Sequence, residues 1–328
     1  QRVNPCLPKS DLLRPKMGLV RSRPGPHNQS MHRATKPWIA WPGVLCLGLL
    51  IGQPMWACLW IDGTSLEGSK RRISGVSMAQ RLRASLASTP RLKDPGDSPE
   101  AQAVSNLLEG RIGQAVEQLE ALAKAQPDTY SVAANLGTAY ELKGELALAH
   151  AWITRAMELN PQSHQGTEWL HLAILKARMA LKTHPDHLRN QRIIPIEGPA
   201  PTFTFEGQYY DTQQLAKALE IQLSERMRLV KPKDAVVADL LFSLGLISAR
   251  EQTLEIALEL FDMAQQYGFL QADQLAAQKA QYQSLIQERH VQRALLIALA
   301  LITLAAMLTL AFRKGWLTLR RSPKERLS

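Results

Sequence analysis

Three residues recur at a fixed interval: Gly110, Ala115 and Pro127 return 34 residues later as Gly144, Ala149 and Pro161. A repeat of this length belongs to chains that stack one helix–turn–helix unit on the next. The residue types fit that geometry. Gly137 and Ala149 are small where two helices of a unit must cross, while Leu136 and Tyr140 are large enough to fill the seam. Gly144 suits the tight turn between helices. Pro161 ends the second helix, because a proline nitrogen has no hydrogen to donate. The first unit opens with Ser98 as a cap and Pro99 at the first helical position. Such units bury their faces only against neighbours, so about three are needed for stability. A third set, Leu244-Gly245 with Ala257, Phe261 and Ala264, falls at the same offsets.

The copy running from Leu136-Gly137 through Tyr140, Gly144, Ala149 and Ala156 to Pro161 resembles the tetratricopeptide repeat (TPR). It departs from that pattern at Ala133 and Ile153, where Trp and Phe are usual. A third first-type helix is expected at about 164–181, with no obvious partner. Four prolines between 184 and 210 read as a connector, with an extended piece at 202–205. Asp211 and Gln214 form a capping-box pair that starts a helix reaching about Leu229. A helical pair at 236–250 and 253–267 follows, then a last helix from about Gln271 that runs into an apolar segment. The expected fold is all-α, a TPR-type helical-hairpin solenoid with a C-terminal transmembrane helix.

Residues 135–181, with NLGTAYELKGELALAHAWITRAMELNP and SHQGTEWLHLAILKA, resemble a group of bacterial envelope-associated TPR proteins. VKPKDAVVADLLFSLG at 230–245 is similar to a later segment of that group. Glu168-Trp169 and His171 are its more distinctive residues. The resemblance implies an exported repeat protein at the envelope and no particular activity.

Residues 294–312 are nineteen in a row with only Thr303 and Thr309 polar and no charge. As a helix they span roughly 28 Å, against a bilayer core of about 30 Å. Arg313 and Lys314 follow directly, which favours a membrane span over a buried core helix. A second apolar stretch, 38–60, is shorter and interrupted by glycine and proline. It reads as an export signal or signal anchor behind a basic segment. Met55-Trp56-Ala57-Cys58 is similar to a lipoprotein signal, making Cys58 a candidate for lipidation, with an unmodified cysteine as the alternative.

The formal charge of +10 sits in the tails. Eight basic residues against Asp11 in 1–37, and six against Glu325 in 313–328, leave −2 on 38–312. A nucleic-acid binder carries its basic footprint on the folded domain, so none is expected here. Basic tails on both sides of the exported part place both ends in the cytoplasm and 61–290 outside it. The cysteines Cys6, Cys46 and Cys58 all precede the folded region, which excludes a disulfide framework there.

The expected organisation is a basic segment at 1–37, disordered or partly untranslated if translation starts at Met17 or Met31, and a signal at 38–60. A linker at 61–97, repeats at 98–182, a connector at 183–210 and a TPR-like region at 211–290 follow. The span is 291–313 and the basic tail 314–328.

By signature offset, the concave face carries Ser131, Asn135, Thr138 and Glu141, then Glu168, Trp169, Leu172 and Lys176. The TPR resemblance implies that Asn135 hydrogen-bonds a ligand backbone. Trp169 is either an aromatic anchor for a partner or packing against the connector. Glu141 and Lys176 read equally as a solvated face. His164, Glu168 and His171, at i, i+4 and i+7, bring two imidazoles and a carboxylate to one helix face, a metal-binding alternative. There is no GxSxG, phosphate-binding loop or dinucleotide fingerprint. The expectation is a protein- or peptide-binding adaptor at the membrane, without cofactor or catalysis. An alternative is a subunit of an envelope assembly or secretion complex that docks through its span.

Overall fold

The computed structural model describes residues 60–88, 98–198 and 201–316. The basic segment 1–37, the signal segment through residue 59 with Cys58, and the tail beyond 316 lie outside the described residues. The architecture is helical, with two short β-hairpins.

The repeats form as antiparallel helix pairs. α2 (Pro99–Leu108) and α3 (Ile112–Ala125) make the first, α4 (Tyr130–Lys143) and α5 (Leu146–Leu159) the second. Ser98 accepts from the Ala101 amide, and Pro99 occupies the first helical turn. Gly144 ends α4 in the left-handed conformation, φ +88°, which a side chain would strain. A Cβ on Gly137 would lie 2.6 Å from Ile153 Cδ1, so this glycine sets how closely α4 and α5 cross. α9 (Ala235–Glu251) and α10 (Leu254–Tyr267) repeat the device, since a Cβ on Gly245 would lie 2.4 Å from the Phe261 ring.

Between these pairs the regular alternation breaks. α6 (Glu168–Thr183) packs on α5 as a third first-type helix. No helix of similar length follows it directly. The chain instead forms α7 (His187–Asn190), then strands β3 (Phe203–Phe205) and β4 (Gln208–Tyr210), paired antiparallel. α8 (Thr212–Leu229) starts at the Asp211–Gln214 capping box and packs against α6 and α9. Arg192 in the connector lies over Phe242 and Phe269, and Asp239 accepts from the Ile193 amide at 3.0 Å. Burial holds the Asp239 carboxyl up at about 6 even though Arg192 opposes the shift.

The stretch expected as a linker at 61–97 is partly structured. β1 (Trp60–Thr64) and β2 (Lys70–Ser74) form a hairpin. α1 (Met78–Ala87) begins with a capping box between Ser77 and Gln80 and packs on α8. Met78, Ala79 and Leu82 join the same core as α6, α8, α9 and α10. That apolar triplet on one helix face makes the segment part of the domain.

α11 (Ala272–Arg313) is one helix of 42 residues. Its first turns pack on α10 through Leu275 and Tyr282. Its second half is exposed all round, including Leu296, Ile302 and Met307. Among the described residues it is the helix long and apolar enough to cross a membrane.

Candidate functional site

α2, α4 and α6 present their faces to a shared groove, and α8 closes one side of it. A cavity of about 270 Å³ remains between them. Asn135, Thr138 and Glu141 from α4, His171 from α6, and Gln222 and Arg226 from α8 line it, with Leu108, His164 and Arg228 at its margins.

Its floor is a buried charge network. Arg226 grips Glu141 in bidentate fashion, at 2.6 and 3.0 Å. The Nε2 of His171 lies 2.7 Å from the other side of the same carboxylate. Arg178 approaches Glu141 at 2.9 Å and also pairs with Asp234 at 2.9 Å. Glu168 lies beneath, 2.9 Å from His164 Nδ1 and 3.4 Å from His171 Nδ1. The Tyr130 hydroxyl donates to Glu168 at 3.4 Å. Helices α4, α6 and α8, and the turn that carries His164, thus meet at two carboxylates.

Burial alone would raise both carboxyls, because a charge loses hydration there. Arg226 and His171 outweigh this and hold Glu141 well below the usual carboxylate range. His164 and His171 hold Glu168 at about 2. Burial depresses His171, but Glu141 and Glu168 carry it above its ordinary value. The Glu168 hydrogen bond does the same for His164. Desolvation pushes the Tyr130 hydroxyl up to about 12. Both carboxylates are therefore ionised at neutral pH, and their partners fix α4, α6 and α8 to one another.

The two histidines turn ring nitrogens toward carboxylates, and Arg226 adds a fixed positive charge beside them. Among the described residues no group of three or more His, Cys, Asp or Glu is placed to hold a metal ion. The spacing of His164, Glu168 and His171 serves ion pairing in this structure.

The residues expected on the concave face separate. Asn135, Thr138 and Glu141 line the cavity, and Glu168 supports its floor. Glu141 is buried and paired, not a solvated face. Ser131 is half-buried on the first turn of α4 and does not line the cavity. Trp169 stacks on Tyr210 with centroids 4.0 Å apart, and contacts Phe203 and Phe205. The β3–β4 hairpin takes the place of the absent partner helix, so Trp169 is packing against the connector. Leu172 is core. Lys176 pairs with Glu206 and lies over the Phe205 ring at 4.7 Å. Trp169 and Lys176 are thus taken up by the connector, and Leu172 by the core of the repeats.

Sequence reasoning missed α8's contribution. Gln222 and Arg226 interrupt the apolar stripe of Leu215, Leu219 and Leu223 on a buried face. Polar residues at i, i+4 within a core stripe were the available signal. The Gln222 Nε2 is buried without a hydrogen-bond partner, and Arg228 at the cavity margin has no ion pair among the described residues. Both leave donors available to an occupant of the groove.

No family model matches the chain. It is similar to cellulose synthase operon protein C of Escherichia coli (strain K12) and to the corresponding protein of Escherichia coli O157:H7. Each is 28% identical over 139 residues, which is 38% of this chain. The match spans 12% of the length of these curated relatives.

Proposed function

We propose that the chain is a membrane-anchored adaptor or scaffold of the bacterial envelope, holding a protein or peptide in the groove of a TPR-type solenoid. The observation that carries this reading is the cavity between α4, α6 and α8 with its rigid ionic floor and unpaired donors. Binding sites of this kind are pre-formed and use few polar groups to orient a ligand. The floor residues are locked in ion pairs, which fits a binding role better than proton transfer. α11 would hold the groove at a fixed distance from the bilayer, with the helical domain outside the cytoplasm.

The test is copurification of the full chain from solubilised, in-cell crosslinked membranes. Thr138→Arg places a long side chain into the groove at a position that makes no ion pair of its own. Wild type retaining a discrete partner that the variant loses supports the reading. The same partner retained by a folded Thr138→Arg variant overturns it.

A second reading is a subunit of an envelope assembly or secretion complex that docks through its apolar helix. The exposure of the second half of α11 all round and the partial similarity to cellulose synthase operon protein C support it. Replacing residues 294–312 with an unrelated apolar span would abolish association in that case and leave an adaptor's association intact.

A further inference from the structure

The β1–β2 hairpin is seated where the helical domain meets the apolar part of α11. The Gly63 backbone lies so close to α10 that a Cβ there would come 2.6 Å from Thr253 Cβ and 2.5 Å from Glu255 Oε2. The Leu66 amide donates to Ala249 O at the end of α9. From α11, Arg289 donates to Ser65 O at 2.8 Å and Leu66 O at 3.0 Å, and Arg293 donates to Thr64 Oγ1 at 2.9 Å. The hairpin is thus clamped at a fixed height on α11.

That clamp builds a cavity of about 500 Å³ lined by Thr64, Lys70, Arg71, Glu255, His290 and Arg293. Three fixed cations face one carboxylate. The Lys70 and Arg71 side chains are exposed and have no ion pair or hydrogen bond among the described residues. The residue after Arg293 begins the nineteen-residue apolar stretch. If α11 crosses the bilayer there, the cavity opens at headgroup level. Juxtamembrane lysine and arginine attract anionic lipid, and a guanidinium matches phosphate geometry.

We propose that this cavity seats the phosphate group of an anionic phospholipid, with Lys70, Arg71 and Arg293 as its ligands. The inference rests on the reading of α11 as a membrane span. Lys70 and Arg71 bind the headgroup, and Arg293 both binds and holds the hairpin.

The experiment uses the full chain. Native mass spectrometry of detergent-solubilised protein with equimolar phosphatidylglycerol and phosphatidylcholine reads bound lipid. Wild type should favour phosphatidylglycerol by about 25-fold or more, and K70A/R71A should lose about that factor, since each nearby basic residue contributes about a factor of five. Neither side chain supports the hairpin, so the variant keeps the fold. Excess inorganic phosphate, against chloride at equal ionic strength, should leave the lipid bound. Displacement by phosphate alone would assign the site to a free anion and overturn the lipid proposal. No preference in wild type, or an unchanged preference in the variant, overturns it also. An alkaline wash separates the two failures. A chain retained in washed membranes without lipid preference refutes only the seat, whereas a chain released by the wash refutes the span and the seat together.

Discussion

Glu141 is the residue on which the groove depends. It is buried and shared by Arg226, Arg178 and His171. Removing it leaves Arg226 buried without its partner, and a broken buried pair costs about 3–5 kcal/mol. Glu141→Ala should therefore lower the denaturation midpoint of the solubilised chain by that free energy, whereas a loss below about 1 kcal/mol would mean the network is surface-like. Trp169→Ala should cost about 3–5 kcal/mol as a core deletion. The same variant should leave partner association per folded molecule unchanged, because Trp169 faces the hairpin. His164 gives a pH signature with a definite sign. Its folded pKa is raised, so the contribution is full below an unfolded value of about 6.5 and is lost as pH rises through the folded value. The melting temperature of wild type should exceed that of His164→Gln by more at about pH 6 than at about pH 9. An equal gap at both pH values would remove the ionic role of His164. Glu168 acts in the opposite sense. Held at about 2, it contributes above the ordinary carboxylate pKa and loses that contribution as pH falls toward 2.

At the scale of elements, the crossings of helix pairs rest on single glycines. Gly245→Ala would gain helix propensity of about 1 kcal/mol. The added Cβ meets a rigid aromatic ring at 2.4 Å, and overpacking of this kind costs about 1–3 kcal/mol. A net destabilisation is expected in chemical denaturation, and a stabilised variant would show that the pair is looser than its geometry. Such pairs were legible in the sequence because Leu136-Gly137 with Ala149 and Leu244-Gly245 with Ala257 stand at the same offsets, and the turn glycine recurs at Gly110 and Gly144. The capping pair at Asp211 and Gln214 was legible for the same reason, being local chemistry. The β3–β4 hairpin was only half legible. Phe203 and Phe205 alternate as a strand should, but their packing on Trp169 joins residues more than thirty positions apart. Glu141 with Arg226 is 85 positions apart and leaves no local signal. α1 was readable from Ser77, Gln80 and its apolar face, and was obscured by the charged hairpin before it.

At the scale of the whole molecule, an ionic groove and an exposed apolar helix are joined by the continuous α11. The apolar run was legible because nineteen residues without charge have few other uses. The groove was not, since half of it comes from α8, outside the regular repeat. The central claim is that this groove holds a protein partner beside the membrane. The most direct measurement is photocrosslinking in living cells from a crosslinkable residue at Thr138, with exposed Glu117 on α3 as the control position. A discrete adduct from Thr138 that is absent from Glu117 is the predicted result. No adduct from Thr138, or the same adduct from both positions, would contradict the account.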